Sequence, residues 1–192
     1  MGHELGNHSL FHPCRREPPE RYEWLAPEYD LCDYTEKRWL DEMRIANCIL
    51  GLIDGRAERT FGNTCCNTTL GRGEAEQELA PLILQLFAAG RGACNSRIVD
   101  PVNANLGALG HCNGDRRTSG ELASEVEQAA ASHGWMIFMM HGVGKGTHGL
   151  FIEKEEHHAF LDFLEANATR IWTAPMVEIA QYVRGRRGGE ME

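Results

Sequence analysis

Hydrophobic residues recur every three to four positions between Tyr34 and Ile53, which predicts an amphipathic α-helix. The recurring apolar residues are Trp39, Met43, Ala46, Leu50 and Ile53. Asp33 and Glu36 have the three-residue spacing of a capping box at the start of this helix, and Asp54-Gly55 places a glycine at its end. Local signals at both ends therefore support the helix.

Further helices alternate with short strands along the rest of the chain. Helices are predicted at 76–89 (starting or kinked at Pro81), at 118–133, at 154–167 and after Pro175. Strands are predicted at 59–61, 94–99, 135–140 and 170–174. This alternation is typical of an α/β fold with a mainly parallel sheet, in which active sites collect at the carboxyl ends of the strands.

Two segments do not fit this alternation. Residues 14–33 are rich in proline and charge, which predicts a long loop. Residues 185–192 are glycine-rich and charged, which predicts a disordered tail. The chain of 192 residues is long enough for one domain with a sizeable core. We therefore predict a single domain over residues 1–184.

Composition excludes several classes of partner. The net charge of −9 argues against nucleic acid, because a phosphate backbone requires a basic surface, and gives no reason to expect binding to an anionic membrane. The longest apolar run, Trp135–Met140, is far too short to span a bilayer. The seven cysteines include no C-x-x-C pair, so a structural zinc cage is not expected. We expect most of the cysteines to be reduced thiols. Compartment and oligomeric state stay open.

Two histidines near the start of the chain are the leading candidates for a metal site. His8 and His12 have the spacing that places two imidazoles on one face of a helical turn. Imidazole is the commonest protein ligand for zinc and similar metals. The spacing alone favours two surface histidines in a polar terminus over a metal site, so the neighbouring residues have to decide.

The residues around this pair resemble a known motif. Gly2-His-Glu-Leu-Gly-Asn-His8-Ser-Leu-Phe-His12-Pro13 looks like the second motif of the polysaccharide deacetylases, the NodB-homology carbohydrate esterases. Arg59-Thr-Phe61 falls where that family has an arginine-and-aromatic motif. The stretch Trp135–Gly142 resembles the strand that carries the family's catalytic histidine, and Ile171–Ile179 resembles its last strand and helix. These matches follow the family's order and cover most of the chain.

The resemblance implies a fold, an activity and a set of site residues. The implied fold is an irregular (β/α) barrel. The implied activity is that of a hydrolase that removes acetyl groups from N- or O-acetylated carbohydrate. The reaction would use a divalent metal, most often zinc, with cobalt or another transition metal as alternatives. By the same resemblance His8 and His12 bind the metal, and His141 is the general acid that protonates the leaving amine. Arg59 belongs to the substrate-binding part of the site, where the family's arginine positions the base.

The chain departs from the family at three places. The family's first motif is a strand that ends in two aspartates, which supply the base and a third metal ligand. This motif is absent upstream of His8, so we expect an N-terminally incomplete barrel. Gly142 stands where most members have aspartate after the histidine, and Gly62 follows Phe61 where the family continues to an aromatic and a proline. These departures keep a second interpretation open, a carbohydrate-binding or vestigial domain without catalysis.

A nucleotide-binding oxidoreductase is the third and least favoured interpretation. The residues Gly144–Gly149 satisfy G-x-G-x-x-G and follow a predicted strand. The apolar residues Leu150–Ile152 delay the next helix, so no helix N-terminus would lie where a pyrophosphate needs it. Asp100 is a possible substitute acid, but a carboxylate before Pro101 is more typical of a turn.

Overall fold

The computed structural model describes residues 2–18, 22–92, 97–146 and 148–189. Contacts divide the chain into two compact units. The first takes the described residues within Met1–Cys94, Ala104–Leu109 and Pro175–Glu192, and the second takes those within Asn95–Asn103 and Gly110–Ala174. The single domain over residues 1–184 stays a prediction, and the two units are described separately below.

The elements are short, apart from the helices. The helices are α1 (Glu36–Asp54), α2 (Ala80–Leu86), α3 (Ser119–Ala131), α4 (Lys154–Ala166) and α5 (Met176–Gly189). The strands are β1 (Phe61–Gly62), β2 (Thr69–Leu70), β3 (Gln77–Glu78), β4 (Gly90–Arg91), β5 (Ile98–Val99), β6 (Cys112–Asn113), β7 (Trp135–Met136) and β8 (Phe138–Met139). Part of the predicted strand at 94–99 lies outside the described residues.

Helix α1 has the predicted end but a different start. Gly55 ends it with a left-handed φ of 69°, a conformation that glycine adopts without steric cost. The cap at its start is Thr35, whose side chain accepts a hydrogen bond from the backbone N–H of Arg38. The predicted cap Asp33 is wrong because that residue already belongs to a preceding 3-10 turn, Leu31–Asp33.

Helix α1 contributes the centre of the first core. Trp39 and Met43 are buried and pack with Phe61 of β1 and with Leu82 and Ile83 of α2. The apolar periodicity weakens towards the carboxyl end, where Ile53 is 69% exposed although the pattern placed it with the buried residues. The core therefore covers only the first part of the helix.

Parallel pairing runs through the first unit. Asn7 pairs with Phe61, β1 pairs with β4, and Arg91 of β4 pairs with Leu109, all in parallel. His8 therefore directly follows Asn7, which belongs to this row of parallel segments. Strands β2 and β3 pair antiparallel beside this row.

The second unit combines a helix pair with two small sheets. Helix α3 begins at the predicted capping box, in which Thr118 and Glu121 cap each other's backbone N–H groups. Leu122 and Val126 of α3 pack against Phe160 of α4. Strand β6 pairs parallel with β8, while β5 pairs antiparallel with β7.

Two sequence predictions differ from the structure near the end of the chain. Residues 170–174 do not form the predicted strand and lie outside every described strand. In this segment Trp172 is 54% exposed. Helix α5 continues to Gly189, into the segment that was expected to be a disordered tail. Within this extension, Arg187 Nη1 donates to the carbonyl of Ala104. Residues 190–192 lie outside the described residues.

The described elements make an α/β arrangement with parallel and antiparallel pairs. Each described sheet has two strands. Closure of the strands into the incomplete barrel stays a prediction. Among the described helices, none has both the length and the apolar character that a bilayer span requires.

Candidate metal centre and acid–base pair

Buried polar side chains hold the segment that carries His8 and His12. Asn7 is 1% exposed; its Nδ2 donates to the carbonyl of Met43 at 3.2 Å and its Oδ1 accepts from the backbone N–H of Ser9 at 2.7 Å. Glu42, on helix α1, accepts from the backbone N–H groups of Leu10 and Phe11, each at 3.1 Å. The core helix thereby fixes the backbone between the two histidines.

This backbone is not the helical turn that the four-residue spacing suggested. Ser9 and His12 have positive φ values of 68° and 53°, which lie in the left-handed region that non-glycine residues rarely adopt. Ser9 Oγ accepts a hydrogen bond from the backbone N–H of His12 at 2.9 Å and so stabilises this tight loop. Hydrogen bonds to side chains replace the backbone ladder that a helix would have provided.

The two imidazole rings nevertheless lie next to each other. Their centroids are 5.0 Å apart and their planes are nearly perpendicular, at 79°. With a zinc–nitrogen bond of about 2.0 Å, a bound imidazole has its centroid about 3.2 Å from the ion. Two such rings at a tetrahedral angle are then about 5.2 Å apart. The observed separation is compatible with two ligands of one ion, and it is also that of two rings in edge-to-face contact.

A backbone carbonyl orients the ring of His8. His8 Nδ1 lies 2.7 Å from the carbonyl oxygen of Gly62, at the end of strand β1. Because a carbonyl oxygen only accepts, Nδ1 carries the proton and Nε2 carries the lone pair. Metal-bound histidines commonly have this arrangement, which fixes the ring and raises the basicity of the ligating nitrogen. In its neutral form His8 therefore has its lone pair on Nε2, which is the nitrogen able to bind a metal.

The described residues of the first unit include one group of three side chains that could bind a metal, and it does not include His8. Among the described residues, the side chains of His12, Cys14 and Cys65 approach one another within 4.8 Å. Cys14 and Cys65 form a disulfide. No third histidine, cysteine or carboxylate of the described part of this unit forms such a group with His8 and His12. The pair fits two positions of a zinc site and leaves the remaining positions to other donors.

Arg59 is held inside the first unit. It is 1% exposed, and its guanidinium donates to the carbonyl of Leu5 at 2.7 Å and to both carboxylate oxygens of Asp54 at 2.9 and 3.1 Å. The guanidinium keeps the pKa of Asp54 below its usual value. These contacts make Arg59 a cross-link between the start of the chain and the end of helix α1. Its assignment to substrate binding stays a prediction.

His141 has a partner that the sequence did not reveal. Asp115, whose side chain is 2% exposed, accepts from the backbone N–H of His141 at 3.0 Å and contacts the ring Nδ1 at 2.5 Å. Because the carboxylate accepts the Nδ1 proton, Nε2 is the ring nitrogen that does not face Asp115. A buried carboxylate behind a half-exposed imidazole is the arrangement of an acid–base catalyst.

The parallel pairing of two strands explains this contact. Asp115 follows β6 and His141 follows β8, and the carboxyl ends of neighbouring parallel strands lie at the same edge. The sequence showed both residues, but the strand β6 was not predicted within the loop at 100–114. Asp100, the carboxylate considered instead, accepts from the backbone N–H of Val102 and from Asn103, as a turn former does.

The structure distributes the predicted site residues over both units. His8, His12 and Arg59 belong to the first unit, and His141 belongs to the second. Comparison of the chain with protein-family models, with curated proteins and with solved structures finds no match. The resemblance to polysaccharide deacetylases therefore depends on the sequence motifs, and the assignment of function depends on the chemistry of the two histidine sites.

Proposed function

We propose that this protein is a metal-dependent hydrolase that removes acetyl groups from acetylated carbohydrate. The observation that carries the proposal is the His8–His12 pair, with ring centroids 5.0 Å apart and with His8 oriented by the carbonyl of Gly62. Two neutral imidazoles suit zinc, cobalt and other borderline divalent metals. A metal ion bound by them would polarise the acetyl carbonyl and lower the pKa of a bound water molecule.

His141 is the proposed general acid of this reaction. Its Nδ1 is hydrogen-bonded to Asp115, so Nε2 donates the proton to the amine nitrogen as the carbon–nitrogen bond breaks. The buried carboxylate holds the ring in one orientation, with Nδ1 facing Asp115. For an O-acetyl ester the same proton would go to the leaving alcohol oxygen.

The resemblance of the motifs supplies the substrate class. The Gly2–Pro13 motif and the segments around Arg59, His141 and Trp172 support an acetylated sugar as substrate. The negative net charge of −9 is compatible with a neutral or cationic carbohydrate and disfavours nucleic acid. Zinc is the first metal to test, and cobalt the second.

Acetate release from acetylated chitooligosaccharides, with zinc or cobalt added, tests the proposal. The variants are His8→Ala and His141→Ala, and the matched control is His158→Ala, an exposed histidine of helix α4. We expect the control to release acetate at the rate of the unaltered protein and both site variants to lose at least about 10²-fold in rate. Equal rates in His8→Ala and the unaltered protein would refute catalysis by the metal pair.

Carbohydrate binding without turnover is the second candidate function. The specific observation in its favour is that no third metal-binding side chain of the described first unit joins His8 and His12. This candidate predicts saturable binding of the same oligosaccharides, measured by calorimetry, with no acetate released at any metal concentration. Acetate release that depends on His8 would exclude it.

A further inference from the structure

A disulfide lies directly beside one of the two candidate metal ligands. Cys14 Sγ is 3.6 Å from Nδ1 of His12, and Cys14 is bonded to Cys65, 51 residues away in sequence. One ligand atom from each of these three residues lies within 4.8 Å of the other two. Thiolate sulfur and imidazole nitrogen are the donors of structural zinc sites. The group has the composition of such a site with its two sulfurs bonded together.

We propose that reduction of the Cys14–Cys65 disulfide creates a second metal site, in which Cys14, Cys65 and His12 bind Zn²⁺. A water molecule or another donor completes the tetrahedron. The proposal goes beyond the deacetylase function, because metal binding by these sulfurs requires no substrate and no hydrolysis. It also differs in its ligands, since it uses Nδ1 of His12 and does not use His8. Because a neutral imidazole binds one metal ion, this site replaces the His8–His12 site when it is occupied.

The distances already approach those of a zinc site. With zinc–sulfur bonds of about 2.3 Å and zinc–nitrogen bonds of about 2.0 Å, a tetrahedral site has a sulfur–nitrogen edge of about 3.5 Å. The distance between Cys14 Sγ and His12 Nδ1 is 3.6 Å. The two sulfurs must separate to about 3.8 Å. The Cα atoms are 5.7 Å apart, so rotation of the cysteine side chains provides this movement with the backbone in place.

Hydrogen bonds on both sides of the disulfide keep its two segments together after reduction. The Thr64 hydroxyl, one residue before Cys65, donates to the carbonyl of Pro13, one residue before Cys14. On the other side, the backbone N–H of Arg15 donates to Asn67 Oδ1 at 2.9 Å. Because these contacts do not involve the sulfur atoms, breaking the sulfur–sulfur bond leaves the two thiols as neighbours.

The chemistry is thiol–disulfide exchange followed by metal binding. A dithiol reductant gives two electrons and two protons to the Cys14–Cys65 bond; the bond breaks, two thiols form, and the reductant is oxidised to its own disulfide. Zinc then replaces the two thiol protons, which pass to the solvent, and binds the resulting thiolates together with the neutral imidazole of His12. The state of the disulfide therefore controls whether the site exists.

Cobalt absorption spectroscopy tests this site without any activity assay. The disulfide-bonded protein and the protein reduced with a dithiol, then freed of the reductant without air, are titrated with Co²⁺. We expect thiolate-to-cobalt charge-transfer absorption, reaching one equivalent, in the reduced protein alone. Zinc should abolish the absorption by displacement and should protect the partly exposed Cys65 from alkylation. Absence of the charge-transfer absorption after reduction would overturn the proposal.

Four variants assign the absorption to these ligands. Cys14→Ser and Cys65→Ser should lose it, while Cys66→Ser, the matched neighbour, should keep it. His8→Ala should also keep the charge-transfer absorption, because His8 is not a ligand of this site. The absorption therefore tests this proposal separately from the proposed His8–His12 metal site. Circular dichroism establishes that each variant is folded. Charge-transfer absorption that survives in folded Cys14→Ser and Cys65→Ser would place the cobalt on other thiols and contradict the proposal.

Discussion

Asp115 accepts two hydrogen bonds from His141, one from the backbone N–H at 3.0 Å and one from the ring Nδ1 at 2.5 Å. The backbone contact uses Oδ1 and the ring contact uses Oδ2. This bidentate arrangement fixes the position of the carboxylate relative to the ring. It also determines what happens when the carboxylate becomes an amide.

Asp115→Asn should reverse the tautomer of His141. The amide oxygen keeps the hydrogen bond from the backbone N–H of His141, so the amide NH₂ faces Nδ1. The NH₂ then donates to Nδ1, and the ring proton moves to Nε2. We expect a fall of about 10²- to 10⁴-fold in acetate release. Nitrogen-15 NMR of the ring measures the tautomer directly. Asp162→Asn, an exposed position of α4, is the control, and an unchanged Nδ1–H tautomer in Asp115→Asn would contradict the assignment.

Glu42→Gln should weaken metal binding by His8 and His12. Glu42 accepts from two backbone N–H groups of the histidine segment and from the hydroxyl of Tyr34 at 2.9 Å. An amide NH₂ would face either the backbone N–H groups, which cannot accept a hydrogen bond, or the Tyr34 hydroxyl, which would have to turn and accept one. Loss of such supporting contacts costs about 10- to 100-fold in metal affinity. Calorimetric titration with zinc measures the effect, and Asp41→Asn, a neighbour whose side chain is 45% exposed, should leave the affinity unchanged.

Arg59→Met should lower the free energy of unfolding, since the Asp54 carboxylate loses the guanidinium and the carbonyls of Leu5 and Arg56 lose their side-chain donor. Urea unfolding measures this loss. Arg56→Met is the matched control, because Arg56 is exposed and contacts Asp54 through its backbone N–H. A stable Arg59→Met protein with a raised KM would instead support the substrate-binding assignment from the sequence.

The same ion pair predicts a pH dependence. Because Arg59 holds the pKa of Asp54 below its usual value, the pair stabilises the fold fully above the unfolded pKa of this carboxyl group. That contribution is lost as the pH falls through the lowered folded pKa. Arg59→Met should therefore lose less stability on acidification than the unaltered protein. Parallel acid titrations followed by circular dichroism test this, and identical slopes would contradict it.

The free thiols should differ sharply in reactivity. Burial raises the pKa of the Cys32 thiol to about 12, whereas Cys48 is exposed on helix α1. Because the thiolate is the nucleophile, iodoacetamide should alkylate Cys48 first and leave Cys32 unmodified in the native protein. Peptide mass spectrometry identifies the modified residue. Early alkylation of Cys32 would mean that its burial is not maintained in solution.

Much of the fold was readable from local signals. The Thr118–Glu121 capping box, Gly55 and Pro81 are local features, and α1, α2 and α3 begin or end close to them. Strand limits were less predictable, because the paired segments are only two residues long and depend on partners distant in sequence. The 170–174 segment shows this, since its apolar residues have no strand partner among the described residues.

The candidate site was likewise only partly predictable, because some of its contacts join residues distant in sequence. The adjacency of His8 and His12 was expected from their spacing, but the backbone that produces it depends on Asn7 and Glu42, which no periodicity could connect. The pairing of Asp115 with His141 depends on the register of β6 with β8. The disulfide of Cys14 with Cys65 was equally invisible, because spacing of 51 residues carries no local signal.

Zinc titration of the disulfide-bonded protein by isothermal calorimetry tests the central claim, that His8 and His12 share one metal ion. We predict one zinc per chain, with affinity at least about 100-fold lower in His8→Ala, because losing a ligand should cost no less than losing a supporting contact. Zinc binding of equal affinity in the unaltered protein and His8→Ala, or no zinc binding at all, would contradict the account.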